Sequence, residues 1–327
     1  YNYNMTTFEE KRANYVPRNP VEIVLSSKNG TQIGNLDGKK LYELESEVIS
    51  RKDERILLYL KKAFIPFSFY TISTSQNNNK LDVKETNSLG ATNTYAVTIE
   101  DGNYSIAKLL TEIKTQMEAN TTFSYTYTIS YNENTSKVSF LIATGTNISK
   151  TELLFGTGAN KSDSLLRVLG FSEADKEFTN STALKSDFVV DMADGLDSLR
   201  CLSNLVGDNI VSTKQGQNGG ELLTIPVNLS PYSILYFDEV TNPFKHKIAF
   251  SSIKSVEITF SDGRGNVVDF NNIPYTLILI CEFQFDPNSA VTALNQSLDQ
   301  APPRDIVQDE EMRKQMLKML MNKNNKI

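Results

Sequence analysis

Phe123-Ser-Tyr-Thr-Tyr-Thr-Ile-Ser-Tyr131 alternates strictly between apolar and hydroxyl side chains, and Lys137-Val-Ser-Phe-Leu-Ile142 follows after Asn132-Glu-Asn134. Successive side chains of an extended chain point to opposite faces, so a period of two sends one set inward and the other to water. Asn residues close tight turns, and the two runs therefore read as a β-hairpin.

The same period extends in both directions. Upstream, Ile56 to Leu60 opens a run through Phe64-Ile-Pro66 to Phe69-Tyr-Thr-Ile72. Aromatic and β-branched residues favour a pleated surface, and Pro66 marks a bend or edge between two strands. Lys80 to Lys84 and Tyr95 to Ile99 are further strands. Downstream, strands are expected at 187–192, 199–202, 221–227, 233–237, 255–260, 266–270 and 275–285. Two segments change period. Ile106, Leu109, Leu110, Ile113 and Met117 share one face of a helix that Ser105 caps. Ser164 to Leu169 reads as a short helix, with Gly170 left-handed at its end and Phe171 as an anchor. Many short strands with few helices predict a mainly β chain, a sandwich or barrel.

The ends differ. Residues 1–52 are mixed and charged and are read as an N-terminal arm, in which only Val21, Ile23 and Leu25 mark a strand that adds to a sheet, its own or a neighbour's. The sandwich is placed at 53–287, with 142–186 as inserted material. Residues 288–327 form a polar linker with Pro302-Pro303 and then an amphipathic helix. Asp309, Glu310 and Glu311 lie in its first turn, Lys314 and Lys318 lie later, and Met312, Met316, Met319 and Leu320 share one face. Methionines fit irregular grooves, so these residues are expected to dock onto a neighbouring subunit. Packing back on their own domain is the alternative, with a membrane-surface or disordered tail, or contact with nucleic acid, behind it.

Composition excludes several classes. The 327 residues carry 39 acidic and 33 basic side chains, a net charge of -6, which repels a phosphate backbone and argues against specific nucleic-acid binding. His246 is the only histidine, so multi-histidine metal sites are excluded and any Ser/His or Cys/His nucleophile would have to use it. Its cationic flanks, Lys245 and Lys247, suggest a loop. Cys201 and Cys281 form neither a CxxC site nor a disulfide scaffold and read as reduced, half-buried thiols. No apolar run is long enough for a transmembrane helix, and no leader peptide is read at the start.

Motifs that hint at chemistry fail on spacing. Gly156-Thr-Gly-Ala-Asn-Lys161 lacks the glycine before its lysine that a phosphate loop needs. Asp262-Gly-Arg-Gly-Asn266 opens no helix and reads as a hairpin turn. Asp191, Asp194 and Asp197 miss the calcium-loop spacing and are expected in a solvated loop. Asp238 and Glu239 are adjacent on a strand, point to opposite faces, and read as surface charge. No catalytic, cofactor-binding or metal-ligating residue is assigned, and the expectation is a non-enzyme without cofactors.

The ordered segments carry a resemblance. They are Pro20 to Ser27, Ala63 to Ser73, Asn78 to Asp82, Val97 to Ser105 with Leu109-Leu110, Tyr131 to Phe140, Leu169-Gly-Phe171, Ile253 to Asp262 and Asn266 to Asn271. Together they resemble the single jelly-roll penton and minor capsid proteins of large icosahedral double-stranded DNA viruses, virophages and polinton-like viruses. The likeness runs from about 20 to 285. Asn271-Asn-Ile273 departs from it where relatives often have a glycine turn, and 142–186 is extra. The resemblance implies a jelly-roll capsomer in the virion, made in the host cytoplasm. It implies a homopentamer at five-fold vertices whose partners are itself and neighbouring capsid proteins, a major capsid protein among them. A subsidiary cement position is the alternative. A carbohydrate- or receptor-binding jelly roll that meets a host glycan is a reading of another class, although sugar platforms usually use Trp and the chain has none.

Overall fold

Strand β1 (Val21–Ser26) leads through a short β2 (Thr31–Gln32) into the long β3 (Lys39–Ile49) and β4 (Glu54–Pro66). The structure is a computed structural model and describes residues 12–207, 220–239, 241 and 243–286. The chain then leaves the sandwich. β5 (Lys80–Asn87) and β6 (Thr92–Thr98) form a hairpin, followed by helix α1 (Ile106–Asn120), β7 (Thr126–Asn132), β8 (Lys137–Thr144), β9 (Ile148–Leu153), β10 (Lys176–Phe178) and β11 (Leu184–Lys185). It returns as β12 (Ser198–Ser203), β13 (Glu221–Pro226), β14 (Ile234–Asp238), β15 (His246–Lys247), β16 (Ser252–Ser261) and β17 (Thr276–Phe285).

Two sheets face each other. One runs β1-β17-β4-β14, with β15 also on β4, and the other runs β13-β12-β16-β3-β2. Counting β14 and β15 as one interrupted strand, the main strands numbered in chain order lie in the two sheets as 1-8-3-6 and 5-4-7-2. That order is a jelly roll, and the mainly β fold expected from the sequence is the one observed. Alternation fills its core. Ile56, Leu58 and Leu60 of β4 and Leu277, Leu279 and Cys281 of β17 are buried, opposite Val256, Ile258 and Phe260 of β16. A register shift between Ile278 and Leu279 resets the phase, so Ala63 and Ile65 also point inward.

A second core lies within residues 72–192. The sheets β10-β9-β5-β6 and β11-β8-β7 enclose Val83, Val97, Tyr127, Phe140, Phe155 and Phe178, and α1 contributes Leu109, Ile113 and Met117. Ser105 caps α1 by accepting from Lys108 N, and Asn132 closes the β7–β8 hairpin.

Several expectations change. Within the expected arm, residues 21–49 belong to the sandwich, because β1 and β3 are integral strands. β1 pairs with β17 from Val21↔Cys281 to Ser26↔Thr276. β3 looked merely charged because its outward positions are Glu43, Glu45 and Glu47, while Tyr42 and Val48 point inward. The insertion is not 142–186 but the whole excursion from 67 to 197, which has its own apolar alternation and so reads like more sandwich. Residues 67–72, 187–192 and 266–270 form no named strands. Phe67 and Phe69 stack at 4.3 Å and Phe270 meets Phe69 edge-on, so their apolarity serves core packing around a bend. Residues 164–169 make a single turn rather than a helix. Leu169 N reaches Leu165 O and Phe171 N reaches Leu166 O, with Gly170 at φ 75°.

Candidate assembly surfaces

The topology gives the sandwich two unlike ends. The register places Ser26, Lys39, Pro66, Ile234, Ser261 and Thr276 at one end. The insert leaves and returns there. Ile49, Glu54 and Phe285 lie at the other end. The incoming chain is pinned at that second end. Tyr15 donates to Phe283 O at 3.2 Å and its ring meets Phe285, while the Arg18 guanidinium lies 3.7 Å over the Phe283 ring and 3.2 Å from buried Glu54. The described chain therefore enters and leaves the sandwich at the end opposite the insert.

The junction between sandwich and insert is a buried polar lock. In the β16–β17 loop Asp262 accepts from Arg264 N at 2.9 Å and Asn266 N at 2.8 Å, which shapes the turn. Arg264 then reaches out of the turn. Its Nη1 lies 2.9 Å from Asp194 Oδ2, and its Nη2 donates to Gln76 O and Oε1 at 2.9 and 3.0 Å. Asn78 Nδ2 completes Asp194 at 2.8 Å. Asp194 is only 3% exposed, which corrects the solvated-loop expectation at that position, whereas Asp191 and Asp197 are exposed as expected. Burial pushes the Asp194 carboxyl up, against the Asn78 hydrogen bond and the charges of Arg264 and Arg167. Gly195 sits at φ 95°, and a Cβ there would stand 3.0 Å from Arg264 Cγ, so this close approach requires glycine. Sequence reading missed the lock because its members lie on segments roughly seventy and two hundred residues apart; the one local signal was an arginine flanked by two glycines.

The outward faces differ in chemistry. On the β3 side Glu43, Glu45 and Glu47 are exposed. On the β1-β17-β4-β14 side the exposed residues include Val24, Phe64, Ile234 and Tyr236. Of the residues expected to dock a partner, Ile23 and Leu25 are in this chain's own core and Val21 packs against it, which corrects that assignment. Met312, Met316, Met319 and Leu320 lie outside the described residues.

The remaining motifs are structural. In the loop from Gly156 the amides are taken by carboxylates: Asp175 accepts from Gly156 N and Thr157 N, and Asp82 from Asn160 N. Burial raises the Asp175 carboxyl, but hydrogen bonds from Thr157 and Gly156 leave it below its ordinary value. His246 is not a loop residue. It sits on β15, 1% exposed, and its Nε2 donates to Leu222 O at 2.9 Å, tying the edges of the two sheets. Cys201 and Cys281 are fully rather than half buried, and burial pushes each thiol up to about 12. In the insert the carboxylate of Glu85 is wholly buried and accepts from Tyr127, Tyr95 and Thr121 hydroxyls at 2.5, 2.7 and 2.7 Å.

Among the described residues no group of three or more His, Cys, Asp or Glu side chains is placed to hold a metal ion, and no helix is long and apolar enough to cross a membrane. No family model matches the chain, and no curated protein matches it. Among solved structures it is similar to the penton protein of mavirus, at 12% identity and a TM-score of 0.45, over 81% of this chain and 100% of that one.

Proposed function

We propose that this chain is a structural capsomer of an icosahedral virion and that five copies close head to tail into a vertex ring. The observation that carries this reading is the polarity of the jelly roll. One end bears the insert, the chain enters and leaves the sandwich at the other, and the two broad sides between them differ. A contact between unlike sides, repeated by rotation, closes into a ring without exposing an unused surface. On this reading the insert faces outward, and the end of the sandwich that carries Tyr15 and Phe285 lies at the base, toward neighbouring capsid proteins. Each such contact needs to bury on the order of 1,200–2,000 Å². The sandwich supplies rigidity and the function is geometric, with no substrate turned over.

Light scattering of the purified full chain tests the ring, with electron microscopy of the same sample. The expected particle has about five times the 36.6 kDa chain mass and five-fold views. A monomer at high concentration that also fails to join virions overturns the reading. A monomer that binds a defined sugar on a glycan array moves it to the receptor-binding class.

A further inference from the structure

We propose that the outward face of the β1-β17-β4-β14 sheet is the seat for this chain's own segment 309–321. The face carries a diagonal apolar stripe. Val24 stands opposite Ile278 on the next strand, and Phe64 stands opposite Tyr236 with ring centroids 5.1 Å apart. Ile234 continues the stripe beside Pro66. Val24 is 60% exposed, Tyr236 53% and Ile234 65%, so these side chains lie open on an otherwise well-filled sandwich.

Three dimensions agree. From Val24 to Ile234 the stripe crosses three interstrand spacings and about four residues of strand rise, roughly 19 Å on the diagonal. A helix of thirteen residues, the number in Asp309 to Met321, would span about 19 Å, and the sequence spacing would put Met312, Met316, Met319 and Leu320 on one side of it. β17 ends at Phe285, about 24 Å along the strand from Ile278. A coil of 22 residues, the number in 287–308, would have a root-mean-square span of about 26 Å, close to that separation. A tether matched to its span gives a local concentration in the millimolar range, which favours the chain's own segment over the same segment of a second copy. Thioether side chains suit the uneven surface of aromatic and branched residues along the stripe. The seat itself needs one chain only, and a segment held there would be part of the broad side that each copy presents to its neighbour in a ring.

The full-length chain with Val24→Cys and Met316→Cys tests it, using a short bismaleimide and intact-mass readout. The two native thiols are buried and stay out of the reaction. The expected product is an internally bridged monomer, formed in preference to the control pair Glu45→Cys and Met316→Cys, whose first site lies on the other sheet. Adding Met312→Asp and Met319→Asp to the test pair is expected to cut bridging by about tenfold. Equal bridging in test and control pairs, indifference to the aspartates, or bridges formed only between two chains would each overturn the proposal. Particle size measured on the same samples reports ring formation separately.

Discussion

Replacing Arg264 by Met keeps the side-chain stem and removes the guanidinium from the junction of the two cores. Arg264 meets Asp194, Asp262 and Gln76 together, and its side chain is 15% exposed against 3% for Asp194 and none for Asp262. Removing one partner of a buried ion pair strands the other charge and costs about 3–5 kcal/mol. Here the lower end applies, because Arg167 lies 3.8 Å from Asp194 and Asn78 still donates to it. With a urea slope of about 3 kcal/mol per molar, a loss of about 3 kcal/mol moves the midpoint down by about 1 M. The two cores should also uncouple. Circular dichroism reports the chain as a whole and thiol labelling reports the sandwich alone, since both cysteines lie there. The variant is expected to show these two probes separating where the parent shows them coincident. Arg264→Lys is expected to recover only part of the loss, because an ammonium cannot reach three partners from one planar fork. A midpoint shift under about 0.2 M for Arg264→Met, or strict additivity with Asp194→Asn, would refute the assignment of this cluster as the lock.

Other outcomes follow from the buried groups. Cys201 and Cys281, with thiols pushed up to about 12 and no exposure, are expected to resist a water-soluble disulfide reagent at pH 8 and to react together on unfolding; reaction in the native state would contradict their placement. Tyr127→Phe removes one of three hydroxyl donors to buried Glu85 and is expected to destabilise by about 1–2 kcal/mol in urea unfolding, whereas a neutral result would mean that Thr121 and Tyr95 suffice. Asp187 is held down to about 2 by its bonds to Lys176 and Ser172. A carboxyl held lower in the folded state stabilises above its ordinary value and loses that contribution as pH falls, here between about 4 and about 2. Asp187→Asn should therefore flatten the acid side of the stability curve in that window, and an unchanged slope would count against the contact.

What was legible in the sequence was local. The β7–β8 hairpin, α1 with its Ser105 cap, and the strands at β12, β13, β16 and β17 follow from periodicity and turn residues, which act within a few positions. What was hidden depends on distant partners. β3 shows alternation, but its outward residues are acids, so the inward Tyr42 and Val48 were lost among charges. The aromatic residues Phe67, Phe69 and Phe270 look like strand yet pack around a bend, because burial alone does not fix backbone direction. Asp194 looked like a surface acid because nothing nearby in sequence announces Arg264. The insert boundary was missed for a related reason: two cores built from the same alternating grammar carry no composition step between them.

Both crossings between sandwich and insert sit at one end, joined through a single arginine turn, while the sheets beneath complete their own hydrogen-bonded order without the intervening 130 or so residues. The roll is constrained on every strand by its partners, whereas the insert could be shortened or replaced without disturbing that order as long as the Arg264 seat is kept. The β5–β6 turn at Leu89, 79% exposed, is accordingly the place where a grafted peptide would be displayed at least cost to folding.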